Sequence, residues 1–217
     1  MTQQVVTGDI IPGLHSSHAR SRKDAKRLVR IGLPLVAVVI AGLGGLGARH
    51  LIHASLAPEF ACISPGVLYR SGQPDGGDLK ELVALYGIKT VVNLRGSEKT
   101  AARSDGAAEI AFAREHNIHL VFQHYGASGD VMKEVRDFLR LVSDPVNQPV
   151  LVHCAEGKER SGVMAAAYRI VVEGWPGERA LAEAESFGLK PVEKPEMVAV
   201  IRECDRQRAE LRAEISK

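Results

Sequence analysis

The chain has 217 residues, 45% of them hydrophobic and 25% charged, the balance of an ordinary globular protein with one main core and room for an appendage. A net charge of +2 gives no basis for a nucleic-acid partner, because the cationic residues crowd near the N-terminus instead of spreading over a face. Three widely spaced cysteines, Cys62, Cys154 and Cys204, form no C-x-x-C pair, which excludes a zinc knuckle or dithiol site and leaves at least one thiol free.

Residues 1–30 lack apolar periodicity and read as a disordered tail. It ends in a basic collar of Arg20, Arg22, Lys23, Lys26, Arg27 and Arg30. From Ile31 to Ala48 there are 18 residues without a charge, enough for roughly 27 Å of helix against a ~30 Å hydrocarbon core. The expectation is a single membrane anchor over 31–52, with a cleaved signal peptide or a buried helix as the alternative. Only Arg49 follows the apolar run before Arg70, so the positive-inside bias puts the N-terminus in the cytoplasm and the bulk of the chain outside the cell membrane. Ala37, Ala41 and Gly45, spaced by four, offer a small-residue face for dimerisation through the anchor, a pattern that a Gly/Ala-rich span also produces by chance.

A folded domain is expected over 58–217, beginning in earnest at Leu68 to Arg70. Asp78 reads as the cap of a helix with Leu79, Leu82, Val83 and Tyr86 on one face, ended by Gly87. Thr90–Leu94, Leu120–Gln123 and Pro149–His153 are short β-branched runs that read as buried strands. Val131, Val135, Phe138, Leu139 and Val142 form the apolar stripe of a helix, and further helices are expected at 161–173, 177–187 and 194–214. Alternating strands and helices predict an α/β fold: a central, mostly parallel sheet with helices on both faces, where ligands bind beyond the carboxyl ends of the strands. Cys154 falls at such an end.

The segment His153-Cys154-Ala155-Glu156-Gly157-Lys158-Glu159-Arg160-Ser161-Gly162 carries the chemistry. Hydrolysis of a phosphate monoester needs up to about 10²¹-fold acceleration, a neutralised phosphoryl group, and a nucleophile that is ionised at neutral pH. A free thiol titrates near ~8.5, but a helix N-terminus and a nearby arginine favour the thiolate. Lowering its pKa by about 3 requires ~4 kcal/mol. A helix terminus supplies up to ~2 and charge-assisted hydrogen bonds ~1.5–3 each. Ala155, Glu156, Gly157, Lys158, Glu159 and Arg160 form a phosphate-binding loop whose amides converge on an anion. The Arg160 fork suits two equatorial phosphoryl oxygens in a way that a lysine does not. Ser161 is placed to hydrogen-bond the sulfur and help it leave in the second step. A nucleotide loop is excluded, since Glu159 stands where Ser or Thr is required.

H-C-x-x-G-x-x-R-S-G resembles the signature of the protein tyrosine and dual-specificity phosphatases. Leu68-Tyr69-Arg70-Ser71-Gly72-Gln73-Pro74 and Gly87-Ile88-Lys89-Thr90-Val91-Val92-Asn93-Leu94-Arg95 are similar to the opening of the compact bacterial dual-specificity-like group. The resemblance implies a covalent phosphocysteine intermediate, no metal or other cofactor, and an aspartic general acid on a separate loop. Asp130 lies closer to the cysteine than the family pattern has it, 24 residues before Cys154, and reads equally as a helix N-cap. Glu159, inside the loop where some bacterial relatives carry an acid, is the alternative donor. Arg70 and Arg95 match family positions and are expected as buried, carboxylate-paired scaffold. His116, His119 and His124 read as solvated or hydrogen-bonded rather than as metal ligands. Trp175 reads as packing for a turn between two helices.

The expected enzyme is therefore a tyrosine or dual-specificity protein phosphatase. A lipid phosphate as substrate and a catalytically silent phosphate-binding module are the alternatives. The last two differ in turnover, and the first two differ in the charge around the loop, where Glu156 and Glu159 oppose Lys158.

Overall fold

A computed structural model describes residues 57–104, 106–126 and 128–216. The basic tail 1–30 and the anchor expected at 31–52 lie outside the described residues. Among the described residues no helix is long and apolar enough to cross a membrane.

Five strands form one sheet: β1 (Ala61–Ser64), β2 (Leu68–Ser71), β3 (Thr90–Asn93), β4 (His119–Phe122) and β5 (Val150–His153). Their order is β1-β2-β5-β3-β4, with β1 antiparallel to β2 and the other neighbours parallel. The three predicted strands are present with ends shifted by about a residue. The short edge strand β1 was not expected, since Ala61-Cys62-Ile63-Ser64 has neither length nor β-branched density to mark it.

The period of two along each strand divides the sheet into two apolar faces. Leu68, Val92, Val150 and Val152 point to one side. There they meet α4 (Val131–Ser143), α5 (Arg160–Val171), α6 (Gly177–Ser186), α7 (Pro195–Arg206) and α8 (Arg208–Ile215). Tyr69, Val91 and Leu151 point to the other and meet α1 (Gly76–Tyr86) and Phe112 of α3 (Ala107–Glu115). The sheet is thus mostly parallel and covered on both faces, as the alternation of periods requires. The stripe on α4 is buried through Val135, Phe138, Leu139 and Val142, each such side chain contributing about 1.5–3 kcal/mol by leaving water.

Three local expectations need correction. The cap of α1 is Asp75, not Asp78. The two make a capping box, in which Asp78 N–H donates to Asp75 Oδ1 (2.8 Å) and Asp75 N–H to Asp78 Oδ2 (3.0 Å). Gly76 and Gly77 hid this start, because glycines rarely open a helix. Second, the helix expected at 194–214 is broken at Gln207. The break has no Gly or Pro; Arg208 instead reaches the carbonyls of Gly174 and Trp175 (3.4 and 2.7 Å), a tertiary tie that is invisible locally. Third, α3 and the one-turn α2 (Glu98–Ala101) had no forecast. Trp175 does pack its turn, held between the guanidinium groups of Arg169 and Arg179 at 4.2 and 3.5 Å.

Candidate active site

The apolar run of β5 stops at His153, the chain turns through residues 154–159, and α5 starts at Arg160. Cys154 therefore sits at the carboxyl edge of the sheet and faces the N-terminus of a helix. Its sulfur is 2% exposed as a residue, accepts the Gly157 N–H at 3.2 Å, and lies 3.5 Å from Ser161 Oγ. Burial alone pushes the thiol pKa up. The Ser161 hydroxyl, the Ser161 and Gly157 amides and the Arg160 charge together outweigh burial and hold it below the ordinary thiol value.

Gly157 is glycine for two reasons. Its φ is 80°, in the left-handed region, and a Cβ there would fall 2.5 Å from Gly72 N and 2.9 Å from Glu59 Cβ. The loop thus rests on residues 71–73, at the end of β2 and just beyond it. Gln73 N–H donates to Ala155 O (2.9 Å), and Gly72 N–H donates to Pro58 O (2.6 Å). A Cβ on Gly72 would lie 3.1 Å from Ala155 O and Glu156 C, which explains the glycine in Ser71-Gly72-Gln73. Residues 58 and 59 consequently touch the underside of the loop, and Glu59 adopts φ 52°, uncommon for its type.

Arg160 is half-buried and donates from Nη1 to Leu94 O (3.2 Å), beyond the end of β3. The structure thus gathers Cys154, Gly157, Arg160 and Ser161. Lys158 lies near Glu156 (3.6 Å) and Lys194 near Glu159 (3.3 Å), so the lysines at the rim are matched by carboxylates.

The two candidate acids are placed differently. Asp130 is exposed and caps α4, accepting Lys133 N–H at 2.9 Å. The loop before it is folded over the buried Glu134 carboxylate, which accepts from Gly126 N (2.6 Å), Ser128 N (3.3 Å) and Ser128 Oγ (2.7 Å). Glu159 occupies the position before α5 and points its carboxylate at Lys194.

A second layer was missed from the sequence. Glu109, on α3 and 1% exposed, accepts from His153 Nε2 (2.7 Å), Asn93 Nδ2 (2.7 Å) and Gln73 Nε2 (3.3 Å). His153 Nδ1 lies 3.3 Å from Cys154 O, and Arg95 Nη1 donates to Gln73 Oε1 (2.6 Å). One carboxylate therefore ties together the residue before the cysteine, the end of β3 and the segment under the loop. A glutamate beside Ile110 and Ala113 on the inner face of a helix was the available signal. Its partners come from positions 73, 93 and 153, so no local pattern revealed them. Arg95 donates to the Gln73 amide, and among the described residues Arg70 has no carboxylate partner of the kind expected: it lies over the Phe187 ring at 4.0 Å.

Glu109 also sets an expectation for stability. Burial raises its pKa, but the bonds from His153, Asn93 and Gln73 win and hold it below the ordinary value. A depressed carboxylate stabilises the fold above its unfolded pKa of ~4.3 and loses that contribution as pH falls through the lower folded value. Glu109→Gln should cost about 1.5–3 kcal/mol at pH 7, the worth of hydrogen bonds to a charged group, and should flatten the acid limb of stability below about pH 4. Urea denaturation of both proteins across pH 3–7 checks this. Parallel acid limbs would assign the pH dependence to other groups.

The geometry suits attack by the sulfur on an acyl or phosphoryl centre held in an anion cradle. A family described as DSP-PTPase phosphatase fused to NAD+ kinase matches residues 63–199. The dual specificity protein phosphatase TpbA of Pseudomonas aeruginosa strain PAO1 is 31% identical over 172 residues, covering 74% of each chain. The match to TpbA of strain UCBPP-PA14 spans about half of that protein (51%). The inositol diphosphatase DSP1 of Oryza sativa subsp. japonica is 34% identical over 120 residues, 51% of this chain and 49% of that one. The crystal structure of P. aeruginosa TpbA superposes with a TM-score of 0.58 at 28% identity, covering 74% of this chain and 92% of that one. A cysteine-to-serine TpbA in complex with phosphotyrosine matches with the same TM-score at 27% identity, covering 73% and 91%.

Proposed function

The chain belongs to the cysteine-dependent dual-specificity phosphatase superfamily, and from that footing we propose that it hydrolyses phosphotyrosine in proteins, with Cys154 as the nucleophile. The observation that carries the proposal is a buried sulfur already surrounded by donors, the Gly157 amide and Ser161. In the first step the Cys154 thiolate attacks phosphorus, an S–P bond forms, and the ester O–P bond breaks. Arg160 and the loop amides hold the equatorial oxygens as they flatten. Asp130, with Glu159 as the alternative, gives a proton to the departing oxygen. In the second step water attacks the phosphocysteine, the same acid now taking its proton, and the sulfur leaves as a thiolate hydrogen-bonded to Ser161.

A sulfur this deeply set favours a substrate that extends its phosphate on a long, flat stem, as tyrosine does. The pairing of Lys158 with Glu156 and of Lys194 with Glu159 argues against a polyanionic inositol or lipid headgroup, which would need unmatched cations at the rim. A phosphate-binding module without turnover is disfavoured because Cys154 and Arg160 are both intact.

Turnover of phosphotyrosine peptides, phosphoserine peptides and phospholipid vesicles by the full chain, without added metal, tests the reading. Phosphotyrosine peptides should be hydrolysed fastest. Faster release from phospholipid would move the substrate class to lipids, and binding without release would leave the silent module.

A further inference from the structure

Arg70 is 0% exposed, and none of its three side-chain nitrogens has a hydrogen-bond partner among the described residues. A buried, unpaired guanidinium is strongly disfavoured unless another charge compensates it. The Phe187 ring at 4.0 Å supplies part of that compensation. The carboxylates in range supply little. Glu183 is held by Arg169 in a two-pronged pair (2.9 and 2.7 Å), and Glu59 is exposed.

The fold shows what else the charge meets. Arg70 pairs across the parallel ladder with Val152, two residues before Cys154, and Leu68, Val152 and Cys154 belong to the same core. Phe187, which covers the guanidinium, adjoins Gly188, where a Cβ would lie 2.9 Å from the Lys158 stem in the loop. Arg70 therefore lies beneath the loop, on the side of the sheet from which the sulfur projects. We propose that Arg70 is a positioning residue for the reaction, a second and fully buried counter-charge of the Cys154 thiolate beside Arg160, whose fork also holds the phosphoryl oxygens.

The charged groups acting on it besides Cys154 are Glu59 ahead of β1 and Glu183 on α6, the latter paired with Arg169 on α5. Burial pushes the Arg70 guanidinium down to about 10, with Cys154, Glu59 and Glu183 acting in the opposite direction. It stays cationic wherever the enzyme works. The assignment rests on Cys154 being the nucleophile, which aryl phosphate turnover by the unaltered protein tests separately.

The deciding measurement is the pH dependence of iodoacetamide alkylation in the full chain carrying Cys62→Ser. That background removes the exposed thiol, while burial pushes Cys204 up to about 12 and keeps it silent. Arg70→Met should raise the Cys154 midpoint by about 1, the effect of losing one nearby opposite charge. Arg70→Lys keeps the charge and should stay within a few tenths of the parent. Phe187→Leu removes the stacked ring and should leave the midpoint in place even if it lowers Tm. Arg70→Gln carries the same test should Arg70→Met fail to fold. A folded Met or Gln variant with the parent midpoint overturns the assignment, as does a Lys variant shifted as far as Met.

Discussion

Replacing Cys154 by Ser should lower aryl phosphate turnover by at least about 10⁴-fold, the scale seen when an enzyme loses its covalent nucleophile. A serine hydroxyl at this point has donors around it but no base to ionise it, and at neutral pH it stays protonated. The loop amides and Arg160 survive the change, so the Ser variant should still bind a phosphotyrosine peptide. Arg160→Lys keeps a positive charge but loses the fork, and should cost about 10²–10³-fold, as loss of one preorganised donor to transition-state oxygens does. Steady-state kinetics on an aryl phosphate, with binding measured by calorimetry, reads both. Near-parent rates in Cys154→Ser would remove the thiolate mechanism, and near-parent rates in Arg160→Lys would remove the role given to the fork.

The general acid should reveal itself through the leaving group. A phenolate leaves with a pKa near 10 and tolerates a missing proton, whereas an alkoxide gains the full ~10²–10⁴-fold of general acid help. If Asp130 is the donor, Asp130→Asn loses activity steeply on alkyl phosphates, mildly on activated aryl phosphates, and erases the basic limb of the pH profile. As an N-cap Asn replaces Asp at little cost, so the Lys133 N–H keeps its acceptor and stability should hold in either case. Glu159→Gln is the matched comparison, giving up the ion pair to Lys194. Unchanged leaving-group dependence in both would assign the proton to another residue or to water.

The parts of this molecule that were legible in its sequence are those whose physics is local. β-branched runs marked β3, β4 and β5, the stripe from Val131 to Val142 marked α4, and the fixed offsets from His153 to Gly162 marked the loop. Each needs only neighbours within a turn or a strand. The parts that were not legible depend on residues far apart in the chain. Glu109 acquires meaning only when α3 brings it to His153, Asn93 and Gln73. Arg70 looked like scaffold awaiting a carboxylate because nothing before folding reveals that Phe187 covers it and that Glu183 is taken by Arg169. Asp130 is ambiguous for a different reason: a carboxylate before a helix is the same pattern whether it caps, donates a proton, or does both.

The hydrogen bond from Gly72 to Pro58, and the press of Glu59 against Gly157, also settle where a shortened enzyme has to begin. Trimming to the first strand at Ala61 would strip the acceptor from Gly72 N–H and remove Phe60 from its ring cluster, leaving Tyr69 and Tyr86 uncovered. The lead-in from 57 to 60 is thus a strut of the 154–159 loop rather than a spacer. The backbone on which the loop stands therefore starts at Pro58, before any strand of the sheet.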